Sequence, residues 1–172
     1  WDIVACDVGQ GDMFAVNLGD GNVALVDAGP EGEAALSCLR KLNINGIEKV
    51  FLSHQHLDHY GGIAALAEQY PIGALTYASK SPKLVADLGD HPEELVHRVS
   101  VGQRWHSERD GGQQAITFEV LAAQDRRALH ENDASMVLHL AFQDTGTTML
   151  FTGDMEQTGV DALRTQGSLP DS

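Results

Sequence analysis

The chain has 172 residues, 42% hydrophobic and 21% charged, which suits one globular domain burying about 70% of its unfolded surface and excludes a disordered chain. A formal net charge of -14 argues against a broad basic face that grips phosphate backbones, and no apolar run approaches the roughly 20 residues needed to span a bilayer. Bound divalent cations reverse a local field, so phosphate chemistry is not excluded; the cations at hand for it are Lys80, Lys83, Arg104, Arg126 and Arg127.

In chain order, Ile3 to Cys6 reads as a strand, and Asp7-Val8-Gly9-Gln10-Gly11-Asp12 as a turn carrying glycines. Met13 to Leu18 and Val23 to Val26 are two further strands joined by Gly19-Asp20-Gly21-Asn22, which has hairpin-turn chemistry. After Asp27-Ala28-Gly29-Pro30 the pattern turns helical from Glu31 to Leu42, with Ala35, Leu36, Leu39 and Leu42 on one stripe. A buried strand from Lys49 to Leu52 leads into Ser53-His54-Gln55-His56-Leu57-Asp58-His59-Tyr60-Gly61-Gly62, and a helix runs from about Gly62 to Gln69. Ala74 to Tyr77 suits a short strand, Ser81-Pro82 opens a helix to about Leu88, and Glu93 to Val99 suits another short helix. The remainder is mostly β: Gln103 to His106, Ala115 to Leu121, Met136 to Phe142 and Thr147 to Phe151, then a helix from Glu156 to Arg164. Strands thus fall into two meanders joined to helices, with no strict βαβ repeat, a pattern that suits two face-packed sheets with helices outside. The ends, at Trp1 and at Leu169-Pro170-Asp171-Ser172, read like those of a domain cut from something longer.

The stretch from His54 to His59 carries the chemistry. His54 and His56 stand two apart, so in extended backbone their imidazoles leave the same side and can share one ion, while Asp58 and His59 follow a turn and can serve a second. Four polar residues at a helix start, with Asp58 as a cap, is the plainer account, and three histidines with an aspartate at this spacing outweigh it. Asp154, in Thr152-Gly153-Asp154 at the end of an apolar strand, is the matching late carboxylate. Asp7 and Asp27 suit either a role orienting ligand imidazoles or the capping of turns at strand ends. His139 reads as structural, His91, His97 and His106 as solvated, and His130 is left open. Cys6 and Cys38 read as small buried hydrophobes, and their number permits one disulfide outside the cytoplasm.

The order Asp27-Ala28-Gly29, His54-x-His56-x-Asp58-His59, Thr152-Gly153-Asp154 resembles a metallo-β-lactamase-fold hydrolase. The resemblance implies an α+β fold, the αββα sandwich, over residues 1–172 as a single domain. It also implies two divalent metal ions, Mn²⁺ or Zn²⁺: His54 and His56 on the first, Asp58 and His59 on the second, and Asp154 bridging. Asp58 is the expected catalytic residue, orienting the attacking water. A narrower similarity, carried by Asp7 to Asp12, Asn132 to Leu138 and Leu150 to Glu156, is to the soluble domain of ComEC-type DNA-uptake channel proteins. It implies a domain on the outer side of the cell membrane, joined to the channel portion of the same parent chain, that degrades the non-transported DNA strand during natural transformation. The rival expectations are a hydrolase of lactones, thioesters or β-lactams, and a degenerate structural module of the channel. The sequence departs from the family where a third histidine of metal one is common: Asn132-Asp133-Ala134-Ser135 stands there, with Asp133 as a substitute oxygen ligand or the loop as a substrate contact. No histidine follows His139, so the last part of the fold, with the histidine that closes metal two, is expected to lie past this chain's end.

Overall fold

The computed structural model describes residues 1–78, 96–109, 112, 114–123 and 130–166. Lys80, Lys83, His91, Arg126, Arg127 and the helix expected from Ser81 lie outside the described residues.

Strands β1 (Ile3–Ala5), β2 (Phe14–Gly19) and β3 (Asn22–Val26) form the first antiparallel meander. Its tight turn has positive φ at both Asp20 (53°) and Gly21 (77°), as a type I′ turn requires. Helix α1 (Ala34–Lys41) then crosses to β4 (Gly46–Leu52), which pairs parallel to β3. Helices α2 (Leu57–Tyr60) and α3 (Ile63–Gln69) lead to β5 (Leu75–Tyr77), parallel to β4. A sixth strand, β6 (Val96–Arg98), pairs parallel to β5 and completes a sheet of order β1-β2-β3-β4-β5-β6. The second sheet is antiparallel, of order β10-β9-β8-β7, from β7 (Arg104–Arg109), β8 (Gln114–Ala122), β9 (Val137–Phe142) and β10 (Thr148–Phe151). Helix α4 (Gln157–Gln166) follows.

Two expectations are corrected. The first sheet is a meander extended by parallel crossovers, β3-α1-β4 and β4 through α3 to β5, so βαβ units are present. Their mark is the unbroken apolar run: Val23 to Val26 and Val50 to Leu52 are buried on both faces, as parallel central strands are. The segment read as a helix to Val99 contains β6 instead, where pairing with β5, continued by the Val99 N–H donating to the Tyr77 carbonyl at 2.9 Å, overrides local propensity.

Alternation along each strand divides the core. Leu25, Val50 and Leu52 pack with Leu36, Leu39, Ile63 and Leu66 on the helix side. Val26 and Phe51 turn the other way, against Ile116, Phe118, Val120, Leu138 and Leu140 of the second sheet. Phe51 stacks on Phe118 with centroids 5.0 Å apart, and Trp105 meets it edge-on at 5.1 Å. Leu163 of α4 packs on Leu121, Ala122 and Val137 from outside the second sheet. The layers are therefore helix, sheet, sheet, helix. Cys6 and Cys38 form a disulfide that ties the end of β1 to α1, Cα atoms 5.8 Å apart. It belongs to the layer that carries the 7–12 loop.

Candidate metal centre

Four loops and one strand end meet at one edge of the sandwich. Asp27 follows β3, Ser53 to Asp58 follow β4, and Thr152 to Asp154 follow β10. The loop before β9 is fastened to them by the Met136 N–H, which donates to the Ser53 carbonyl at 2.7 Å. The 7–12 loop lies directly on the histidine loop: a Cβ on Gly11 would stand 1.9 Å from the Asp58 carbonyl oxygen, and its φ of 109° excludes most side chains as well. Gly153, at φ 53°, allows the same closeness where the second sheet reaches the first, since a Cβ there would stand 2.7 Å from Cβ of Ser53.

His56 remains extended (φ -89°, ψ 145°) before α2 begins. The His54 and His56 rings therefore lie on one side, with Nε2 of His54 3.1 Å from Nδ1 of His56. His59, on α2, turns its ring to within 4.1 Å of the His54 ring, centroid to centroid. Asp154 faces both, Oδ2 standing 4.0 Å from His54 Nε2 and Oδ1 3.5 Å from His59 Nε2. Two donors each bound about 2 Å from a tetrahedral cation stand about 3.3 Å apart, so this set fits a divalent ion after small movements. His54 and His59 are buried, whereas the Asp154 side chain is 42% exposed and leaves an open approach.

The backs of two rings are fixed by Asp27. Its Oδ1 accepts the Ser53 N–H at 2.8 Å, and its Oδ2 accepts the Ser53 hydroxyl at 2.7 Å and His59 Nδ1–H at 2.9 Å. With its one proton given to Asp27, the Ser53 hydroxyl can only accept from His54 Nδ1 at 3.0 Å. Nε2 of both rings is thereby turned inward, where a metal would take it, bare on His54 and bare on His59 once its second proton is displaced. Burial, then the neighbouring His59, hold the His54 imidazole down to about 4, so it is neutral at pH 7. Burial also opposes charge on His59, but the hydrogen bond to Asp27 and the carboxylates of Asp27, Asp154 and Asp58 outweigh it and push that imidazole up to about 9. Burial pushes the Asp27 carboxyl up as well, so two groups compete for one proton. We place it on His59, because three carboxylates surround that ring and the two Ser53 hydrogen bonds favour an ionised Asp27.

The structure thus brings together His54, His59 and Asp154, with His56 against His54 and the Asp58 charge acting on both His54 and His59. Asp7 is exposed, and its carboxylate accepts the Gly9 N–H at 3.4 Å, a contact of the turn-capping kind. It is Asp12, five residues on, that lies near Asp27 and His59. The buried Oδ1 of Asp133 accepts the N–H groups of Glu156 (3.0 Å) and Gly159 (2.8 Å) and so caps the start of α4. Asp133→Ala is accordingly expected to lower stability by about 1–2 kcal/mol in urea denaturation and to leave cation affinity unchanged by chelator competition. Glu131 was not foreseen; its Oε2 lies 2.8 Å from His56 Nε2. His97, His106 and His130 are exposed, and His139 is partly buried on β9. A cleft of about 120 Å³ borders the centre, lined by Asp12, Phe14, Asp27 and Met149 to Gly153, whereas the larger cavity, about 280 Å³, lies against Glu31, Leu57, Tyr60 and Ala64, away from the ligating atoms.

This fold and this edge constellation define a hydrolase of the metallo-β-lactamase class, and the chain belongs to the metallo-β-lactamase superfamily, whose family description matches residues 6–170. It is 29% identical over 164 residues to Competence protein ComA of Neisseria gonorrhoeae, covering 94% of this chain and 21% of that protein. It is 39% identical over 94 residues to Exodeoxyribonuclease YycJ of Bacillus anthracis, covering 54% of this chain and 35% of that one. The chain spans about a fifth of the length of the competence-type relatives it matches, a set consistent with the soluble domain of a ComEC-type protein. The crystal structure of MEM-A1, a subclass B3 metallo-β-lactamase from a soil metagenome library, superposes with a TM-score of 0.58 at 15% identity over 87% of this chain and 58% of that one, which concerns the fold alone.

Proposed function

We propose that this domain is a metal-dependent nuclease that degrades one strand of DNA as the other enters a cell, working beside the membrane channel portion of a longer parent chain and on its outer side. The observation that carries the metal chemistry is the convergence of His54 Nε2, His59 Nε2 and the Asp154 carboxylate, two of them with their outer nitrogens already engaged. The names of the competence and exodeoxyribonuclease relatives support a DNA substrate. The disulfide between Cys6 and Cys38 supports an oxidising compartment. Among the described residues no helix is long and apolar enough to cross a membrane, so the channel would be supplied by other parts of the parent.

In this reading His54 and His56 would hold one cation and Asp58 and His59 a second, with Asp154 available to either. Cations held there would supply the Lewis acidity needed to activate water at neutral pH and to offset charge on phosphate oxygens. Asp58 orients the attacking water. Asp27 keeps the His59 ring in place and its Nδ1 proton occupied. Asp154, its side chain 42% exposed, stands at the open rim of the site. The oxygen share of the second site favours Mn²⁺, and the histidines of the first accept Zn²⁺ equally.

Labelled single-stranded DNA incubated with the domain and Mn²⁺ is expected to be cut, and Asp154→Ala or Asp58→Ala to reduce the rate at least 100-fold by analogy with loss of a central electrostatic group. Turnover of a lactone or β-lactam with DNA left intact would instead favour the other hydrolases of this fold.

A further inference from the structure

Three imidazoles point into the centre, and each must present a bare nitrogen there. Asp27 and Ser53 take up Nδ1 of His59 and His54 and so turn Nε2 of both rings inward. His56 touches neither group in that way. Its Nδ1 lies 3.1 Å from His54 Nε2 and its Nε2 lies 2.8 Å from the Glu131 carboxylate. A carboxylate only accepts, so Nε2 of His56 donates its proton to Glu131, and Nδ1 is the nitrogen turned toward His54. His54 Nε2 is bare, its proton being on Nδ1 beside Ser53. Nε2 of His54 and Nδ1 of His56 therefore face each other at 3.1 Å, close to the roughly 3.3 Å that separates two nitrogens on one tetrahedral cation.

We infer that Glu131 is a positioning residue for the first cation: it fixes the His56 tautomer that turns Nδ1 inward. The inference rests on the metal reading above. As a surface ion pair, with side chains 41% and 33% exposed, this contact would add little to stability. Its value lies in orientation, and the loop that carries it is rigidly held. Ala134 N–H donates to the His130 carbonyl at 3.0 Å, Ser135 N–H to Asn132 at 3.0 Å, and Met136 N–H to Ser53 at 2.7 Å. Asn132 Nδ2 reaches Glu156 at 3.2 Å, and Asp133 fastens the same loop to α4. Glu131 is thus presented to the back of His56 from a framework tied to both sheets. The loop that lacks a third histidine contributes an oxygen behind the second.

The test compares the wild-type domain with Glu131→Ala and Glu131→Gln, using Co²⁺ as the probe ion. Chelator competition is expected to show Co²⁺ affinity lowered about 10- to 100-fold in Glu131→Ala. Gln keeps an oxygen that accepts Nε2–H, so Glu131→Gln is expected to recover most of that loss. A merely structural residue would not move the second readout: among the hyperfine-shifted imidazole N–H resonances of the Co²⁺ form, the one from His56 should exchange faster with solvent in Glu131→Ala and not in Glu131→Gln. Urea denaturation of the metal-free variants is expected to match wild type. Unchanged affinity in Glu131→Ala, or lowered affinity with the His56 N–H still slow to exchange, overturns the role of Glu131 and leaves the metal reading intact. Absence of Co²⁺ uptake by the wild-type domain overturns both.

Discussion

Asp27→Ala is expected to be the most damaging single substitution in the domain, lowering stability by about 3–5 kcal/mol and cation affinity by about 10- to 100-fold. Asp27 is 1% exposed and takes three hydrogen bonds, from the Ser53 N–H, the Ser53 hydroxyl and His59 Nδ1. Removing it leaves three buried donors without an acceptor and an imidazole without its counter-charge. The backbone adds to the case: Asp27 sits at φ 57°, a left-handed conformation that aspartate tolerates better than alanine, whose β-carbon gains no local hydrogen bond there. Asp27→Asn separates the two losses. It keeps the shape and one acceptor, so most of the stability is expected to survive while His59 loses its charged partner and cation affinity still falls. Urea denaturation of the metal-free protein and chelator competition read the two effects; a stability change below about 1 kcal/mol for Asp27→Ala would contradict this account.

Cation affinity is expected to rise about tenfold per pH unit from near pH 6.5 to about 9 and then level off. The sign follows from His59. Its imidazole, pushed up to about 9, holds a proton on Nε2 at neutral pH, and a cation binding there must displace it. Every unit of pH below about 9 therefore costs a factor of ten. His54, held down to about 4, is already neutral over this range and adds no slope. Calorimetry in buffers of different ionisation enthalpy should register close to one proton released at pH 7 by the cation that engages His59. A flat affinity between pH 6.5 and 8.5 would mean that the shared proton resides elsewhere.

The histidine loop, Asp27 and Asp154 were legible in sequence because each is a short run at the end of an apolar strand, where loops converge whatever the rest of the chain does. The two-sheet plan was legible for a related reason: Met136 to Phe142 alternates cleanly and the Asp20-Gly21 turn admits few alternatives. What escaped depends on contacts between distant segments. Glu131 stands beside His130 and Asn132 in a polar stretch whose local pattern says only loop, and its meaning comes from His56, 75 positions away by subtraction of the residue numbers. Asp12 and Asp7 share one motif, and nothing local tells which carboxylate turns inward. The place of Asp133 in the order suits a ligand or a substrate-contacting loop, and its tie through Oδ1 to the start of α4 shows only once the chain is folded. The parallel placement of β4 and β5 and the pairing of Cys6 with Cys38 are likewise properties of the assembled sheet rather than of any window of residues.

His54 and His59 ride on the first sheet and Asp154 on the second, so the gap they enclose is set by how the two sheets are aligned. The Phe51–Phe118 stack in the interior acts as the peg between those halves. Trimming either ring would let the halves slide, and a change wholly inside the core would then be felt as a slackened grip on the ion, with every ligand still present.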